Sequence, residues 1–343
     1  MSLIPIYSTL SDIEPRSVEW LWRDRIAAGR ITLIAGDPGI GKSWATLDIM
    51  ARLSCGKDWP DGTYNPPGSV LLMNCEDNAS DTLRPRLDLL GANVSKIHLL
   101  EAVDYGDDTI SPITLDHYEV IRTAIMSVNA RLLVIDPITG FFGAGADANR
   151  DTYIRHTFRP LAQIAEETGC AIVMVAHLNK SSEQSIQYRF SGSVQYTGAA
   201  RMAYLIGRDR SDAGRRLMVC VKNNIGADRW ALAYRVDPEH ETEPVRWESE
   251  PILSDDLEEM VSNQRESEDL KEITEWLMKK VNNDRGVSVG MILKEAKQAG
   301  WSQPHVMRAR HLCGIRLEQI GGEWYWLPRY ADPTKGRGWT DEA

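Results

Sequence analysis

Eight consecutive residues, Gly36-Asp37-Pro38-Gly39-Ile40-Gly41-Lys42-Ser43, set three glycines, a lysine and a hydroxyl at the spacing G-x-x-x-x-G-K-S. Glycines at 36, 39 and 41 let backbone N–H groups turn inward around an anion. A helix starting at the end of the run adds its positive pole. Lys42 is then expected to reach the β- and γ-phosphates of ATP, and the Ser43 hydroxyl to ligate Mg²⁺. The apolar run Ile31–Ala35 precedes the motif and a helical pattern extends to Leu53, which is the context this chemistry requires. All eight residues are therefore assigned to nucleotide binding.

A second signal is Leu132-Leu133-Val134-Ile135-Asp136, an apolar strand ending in a carboxylate. Ligands of open α/β sheets bind at the carboxyl ends of the strands, so Asp136 is expected to hold Mg²⁺ through water. Hydrolysis also needs a group that orients or deprotonates the attacking water. Glu76, at the end of the run Val70–Cys75, is the candidate; alternatively, Glu76 or Asp77 caps the helix entering near Ser80. His177 closes the run Ala171–Ala176, where a polar side chain can sense the γ-phosphate and signal to the loop beyond. A histidine at a strand end can equally be a hydrogen-bonded polar residue and nothing more.

These groups need a scaffold that brings strand ends together. The runs 31–35, 70–75, 132–135 and 171–176 are nearly continuous in apolar residues, as expected of strands covered on both faces of a parallel sheet. Between the last two, Ile154, Phe158, Leu161 and Ala165 recur at helical spacing. Alternation of strands and helices implies βαβ units, an α/β fold with a mostly parallel sheet. After Gly198 the runs Arg201–Gly207, Arg216–Lys222 and Ala231–Val236 follow each other with short polar breaks and predict antiparallel additions to one edge. The expected organisation is an N-terminal segment 1–28, an ATPase domain 29–248, an acidic linker 249–268, a small domain 269–329 and a tail 330–343.

Composition narrows the setting. An apolar fraction of 43% supports a full core, and the net charge of -10 argues against coating nucleic acid by charge alone. The five cysteines show no C-x-x-C pair, so neither a disulfide framework nor a zinc site is indicated; Cys75, Cys170 and Cys220 lie in apolar runs and are expected in the core. No run approaches the ~18 apolar residues of a membrane helix. Met1 to Leu10 makes a poor signal peptide, so a cytoplasmic location is expected.

Taken together, Gly36–Ser43, Glu76, Asp136 and His177 resemble the RecA-like hexameric helicases, in particular the RepA-like AAA family ATPases of plasmids and phages. The resemblance spans roughly residues 14 to 245. Glu14-Pro15-Arg16-Ser17-Val18-Glu19-Trp20-Leu21-Trp22 looks like that family's approach to its ATPase core, and Gly192-Ser193 with Ala199-Ala200-Arg201 looks like its arginine-finger segment. The resemblance implies a ring homo-oligomer, a hexamer, in which Arg201 reaches a neighbour's γ-phosphate; Arg208 and Arg210 are rivals for that role. Lys222 resembles the lysine that ring helicases place near the adjacent site, although Asn223 and Asn224 stand where an arginine often follows. The loop 179–191, with Lys180, Gln184, Gln187, Tyr188 and Arg189, would line a pore and grip single-stranded DNA, or is only a polar surface loop. The implied activity is an ATP-driven DNA translocase or helicase in replication of a mobile element; a recombination-loading ATPase without helicase activity is the alternative.

Residues 286 to 330 hold twice as many Lys and Arg as Asp and Glu. Helices over Leu270–Val281, Val289–Ala299 and Ser302–Cys313 followed by a hairpin around Gly321-Gly322 read as a winged helix. Val306, Ala309 and Cys313 would face inward, leaving Gln303, His305, Arg308 and Arg310 for duplex DNA or a protein. Trp324 and Trp326 are expected to pack in the hairpin.

Overall fold

Alternating apolar segments bury themselves by stacking helices on both faces of one sheet, and the chain does this over most of its length. The computed structural model describes residues 6–143, 151–178, 198–226, 230–253, 261–262, 264–281 and 286–328. Two compact units divide between Val261 and Ser262, inside the stretch expected as linker.

In the first unit, β1 (Trp20–Trp22) and β2 (Ile26–Ala27) form a small antiparallel pair ahead of β3 (Ile31–Gly36). Helix α1 (Lys42–Cys55), β4 (Ser69–Asn74), α2 (Arg84–Leu89) and β5 (Ile97–Leu99) follow, then the short pair β6 (Ala102–Asp104) and β7 (Ile110–Pro112). The chain continues through α3 (Tyr118–Ser127), β8 (Ala130–Asp136), α4 (Asp151–Thr168) and β9 (Ala171–His177). It closes with β10 (Met202–Asp209), β11 (Arg216–Asn223), β12 (Ala231–Val236) and β13 (Val245–Trp247), and β14 (Val261–Ser262) begins at the last residue of the unit. The main sheet runs in the order β13-β12-β11-β10-β3-β9-β8-β4-β5, with β14 beside β10. From β10 to β5 every pairing is parallel. β11, β12 and β13 extend the sheet antiparallel. Of the three late runs expected as antiparallel, the first, β10, is thus parallel to β3.

The two sheet faces explain the unbroken apolar runs. Ile31, Leu33 and Ala35 of β3 pack on one side with Ile121 and Ile125 of α3 and Phe158, Leu161 and Ala165 of α4. Ile34 packs on the other with Leu47 and Met50 of α1 and with Leu87 of α2. Cys170 and Cys220 are buried, but Cys75 is exposed, because β4 ends at Asn74 and Cys75 falls in the following turn.

Residues 20–27, expected in a separate N-terminal segment, are built into this core by aromatic contacts. Trp22 is fully buried, stacked on Trp59 at 5.2 Å and edge-on to Trp247 at 6.0 Å. Trp247 in turn donates from Nε1 to Asp48 of α1 at 2.7 Å. Such pairs contribute ~0.5–1.5 kcal/mol each beyond burial, and they bind β1, α1 and β13 to one another.

In the second unit, α5 (Gln264–Lys280) starts six residues before the expected Leu270. It is followed by β15 (Val287–Ser288), α6 (Val289–Gln298), α7 (Gln303–Leu312), β16 (Arg316–Ile320) and β17 (Glu323–Leu327), with an antiparallel sheet in the order β15-β17-β16. Ile273, Leu277, Ile292, Val306, Ala309 and Trp326 form its core. Arg310, expected to face out or to flank the inward face, lies with its guanidinium 5.9 Å from the Trp326 ring centre. Trp326 is core, whereas Trp324 is half exposed.

Backbone proximity at the end of β3 is tight. A Cβ on Gly36 would stand 2.5 Å from the Ile206 carbonyl oxygen of β10, a backbone atom that cannot step aside. Gly36→Ala is expected to cost ~1–3 kcal/mol of stability and to displace the loop that follows; thermal unfolding and ATP affinity of the variant measure both.

Candidate nucleotide site

Hydrogen-bonding register gathers four strand ends at one edge of the sheet. Gly36, the last residue of β3, stands opposite His177, the last of β9. Asn74, at the end of β4, stands opposite Asp136, at the end of β8. The loop Gly36–Ser43 emerges from the same edge into α1, whose N-terminal cap, Gly41, has a left-handed φ of 103°. Only glycine adopts that conformation without strain.

Lys42 sits at the centre. Its Nζ donates to the carbonyl oxygens of Gly36 at 3.0 Å and Asp37 at 2.8 Å, and to Nδ1 of His177 at 3.1 Å. The side chain is buried, and burial lowers its pKa to about 8 against the opposing pull of Asp136, Asp37 and Glu76. Lysine has no acceptor, so Nδ1 of His177 offers a lone pair and the ring proton resides on Nε2. Nε2 lies 3.4 Å from Oε1 of Glu76. Burial, and next the Lys42 charge, lower the His177 pKa, which favours the uncharged ring. Lys42, His177 and Glu76 thus form one polar chain from the start of α1 past the end of β9 to the turn after β4.

Asp136 is 5% exposed. Burial raises its pKa to about 6, opposed by a hydrogen bond from Ser43 and by the charge of Lys42. Ser43 and Asp136 therefore meet, presenting a hydroxyl and a carboxylate. Among the described residues no cluster of three His, Cys, Asp or Glu side chains could cage a metal by itself. The pair instead fits Mg²⁺, which takes hard oxygen ligands, retains several waters and shares the oxygens of a bound phosphate.

Glu76 is exposed and its position is set by the backbone. Oδ1 of Asn74 accepts from the N–H groups of Glu76 at 3.2 Å and Asp77 at 2.9 Å. The helical turn beyond is capped by Asn78, whose Oδ1 accepts from Ser80 at 2.8 Å and Asp81 at 3.3 Å. Neither Glu76 nor Asp77 is the cap.

Three structural partners of the site were not foreseen from sequence: Asn74, Arg216 and Tyr234. Nε of Arg216 donates to the Ile40 carbonyl at 2.8 Å, and the Tyr234 hydroxyl to the Gly41 carbonyl at 3.3 Å. Both hold the phosphate loop from strands about 180 residues downstream, and nothing in the local sequence marks them.

Arg201 and Lys222 lie elsewhere. The Arg201 N–H donates to Ile31 at the start of β3, and Lys222 pairs with Ala203, while Gly36 pairs with Ile206. Five residues of strand at about 3.3 Å each separate the two ends by roughly 16 Å. Burial, then the nearby Arg201 charge, lower the Lys222 pKa, so the two cations share the sheet edge away from the phosphate loop. Arg208, opposite Arg216, is at the phosphate end and donates to the Ala213 carbonyl at 2.8 Å. Arg210 donates to the Val261 carbonyl at 3.1 Å. The loop 179–191 and Gly192-Ser193 lie outside the described residues.

A mostly parallel sheet with a glycine loop, lysine and hydroxyl at the edge where Asp136 ends its strand defines an ATPase of the RecA-like P-loop type. Comparison with known proteins agrees. Residues 8–183, just over half of the chain, match the family described as AAA domain (AAA_25), and the chain belongs to that family. It is 30% identical over 157 residues to the DNA repair protein RadA of Bacillus subtilis (strain 168), covering 45% of this chain and 29% of that protein. It is 26% identical over 212 residues to the RadA of Halalkalibacterium halodurans, covering 59% and 38%. The match thus spans about a third of the length of these relatives. Among solved structures, one described as an ATPase domain superposes with a TM-score of 0.45 at 14% identity, covering 68% of this chain and 86% of that one. No helix among the described residues is long and apolar enough to cross a membrane.

The Asp136 carboxyl has a testable signature. Its pKa is raised on folding, so the folded protein holds this proton more tightly than the unfolded chain, and its ionisation reduces stability as pH rises from about 4 to about 6. Asp136→Asn removes that dependence. In thermal unfolding across pH 4 to 8 the variant is expected to gain on the parent through this interval, by up to ~3 kcal/mol. A stability difference between variant and parent that stays constant from pH 4 to pH 6 contradicts this electrostatic account.

Proposed function

We propose that the chain is a ring-forming ATPase motor that moves along single-stranded DNA, as a translocase or helicase. The observation that carries this reading is the separation of Arg201 and Lys222 from the phosphate loop of their own chain. Measured along β3 to Gly36, Arg201 is level with a point roughly 16 Å away and Lys222 with one roughly 10 Å away, so both are poorly placed for their own nucleotide, and in this reading they serve that of a neighbouring copy.

In this reading, phosphates enter the cradle of Gly36 to Ser43 and compete with the Gly36 and Asp37 carbonyls and His177 for the ammonium group of Lys42. Ser43 and Asp136 hold Mg²⁺, which when bound neutralises charge on the β- and γ-phosphates. Glu76 orients and deprotonates the attacking water. Losing the Lys42 donor frees Nδ1 of His177, while Nε2 remains beside Glu76, so His177 is the group that registers nucleotide state at the start of the loop beyond β9. Arg201, from the adjacent subunit, supplies the guanidinium that stabilises the transferred phosphoryl group. The loop 179–191 contacts single-stranded DNA, and the second unit serves as a winged helix for duplex DNA or a protein partner.

The DNA-repair naming of the relatives favours a second reading, a nucleotide-switched recombination-loading ATPase that does not translocate.

Steady-state ATP hydrolysis with single-stranded DNA, with duplex and with neither, at fixed low salt, separates the two. Several-fold stimulation by the single strand is the expected outcome; slow hydrolysis indifferent to DNA shifts the assignment to the switch. Subunit mixing tests the neighbour's role. Arg201→Ala and Glu76→Gln proteins are each expected to be nearly inactive, and their mixture to recover hydrolysis at interfaces that pair an intact Glu76 with an intact Arg201. A mixture as inactive as its components argues against a finger supplied across the interface.

A further inference from the structure

We infer that Arg86 is a positioning residue for hydrolysis, tying the turn that carries Glu76 to the first turn of the phosphate-loop helix. The inference rests on the reading of Glu76 as the group that activates water.

Glu76 has little to hold its side chain. Its carboxylate is 57% exposed and meets Nε2 of His177 at 3.4 Å. Where that carboxylate stands therefore depends on the Asn74–Asp77 turn. The inner end of the turn is fastened by the Asn74 side chain, which accepts from the backbone of both Glu76 and Asp77. The outer end is fastened by Arg86. Its guanidinium donates to Oδ2 of Asp77 at 3.2 Å, and its centre lies 5.2 Å from the ring centre of Trp44. Trp44 directly follows Ser43 and belongs to the first turn of α1. One planar cation thus links the residue after Glu76 to the residue after Ser43.

The sheet fixes where β3 and β4 end but not where the turn beyond Asn74 stands. β3 and β4 are separated by β9 and β8, so the two catalytic loops leave strands that do not touch. Arg86 offers a short route between them on the solvent side. A guanidinium suits the task, since it pairs with a carboxylate while lying flat on an aromatic face, whereas an ammonium is a compact point charge. A group whose neighbour has lost its anchor still allows ATP to bind, but no longer presents the water correctly, and small misplacements of a catalytic group are costly in rate.

The experiment compares kcat and ATP affinity in parent, Arg86→Ala, Arg86→Lys, Asp77→Asn, Glu76→Gln and Arg86→Ala/Glu76→Gln proteins, each checked for folding by thermal unfolding. Arg86→Ala and Asp77→Asn are expected to lower kcat by roughly ten- to a hundredfold with ATP affinity within about twofold of the parent. Arg86→Lys, which keeps the ion pair, is expected to recover part of the loss. Because Arg86 acts through Glu76, the double variant is expected to be no slower than Glu76→Gln alone. Parent-like kcat in Arg86→Ala beside a slow Glu76→Gln overturns the proposal by itself, as do additive losses or a fall in affinity that matches the fall in kcat. A Glu76→Gln protein that hydrolyses ATP at the parent rate overturns the catalytic reading of Glu76, and the proposal with it.

Discussion

Parallel hydrogen bonding between β3, β9, β8 and β4 is the constraint on which the site depends. Parallel strands point their carboxyl ends the same way, and the pairings of Gly36 with His177 and Asn74 with Asp136 bring four chain segments to one line at the sheet edge. A slip of one residue in either pairing would turn a polar strand end toward the opposite face. The apolar side chains of both faces, packed against α1 and α2 on one side and α3 and α4 on the other, make such a slip costly. Core packing therefore enforces the geometry of residues that contribute nothing to the core.

What this edge contains is electrostatically uncomfortable, and that discomfort is useful. Lys42 and Asp136 are both buried, with the lysine pKa lowered to about 8 and the aspartate raised to about 6. Desolvation is the dominant cause in each case, and their mutual attraction offsets only part of it. Charges held out of water interact strongly with whatever charge enters beside them, which suits a site for phosphate and a divalent cation. His177 links this pair to the exposed Glu76, so a buried cation and a solvent-facing carboxylate share one neutral ring.

β10 and the antiparallel strands beyond it steady the phosphate loop. Ile206 of β10 fills the space against Gly36, while Arg216 of β11 and Tyr234 of β12 donate to the loop carbonyls at Ile40 and Gly41. Tyr234 also packs on Trp247, which meets Trp22 and the buried Asp48. The loop is thus braced through an aromatic cluster that includes the N-terminal strands, so residues near Trp20 belong to the ATPase unit and do not precede it as a separate segment.

The sequence by itself determined the class of fold and which polar residues stand at its strand ends. The Gly36–Ser43 spacing, the apolar strands and the strand-end residues Asp136, Glu76 and His177 are legible because each is a short-range pattern whose physics is complete within a few residues. Tertiary structure decided what depends on which strands become neighbours. The parallel pairing of β10, the exposure of Cys75, the capping by Asn78 and the early start of α5 all turn on backbone hydrogen bonds or strand ends that periodicity alone leaves undetermined. The braces from Arg216, Tyr234 and Arg86 were hidden for a related reason. A surface-type arginine or tyrosine takes its role from the partner it meets, and residues as far apart as 193 positions meet only when the sheet is assembled.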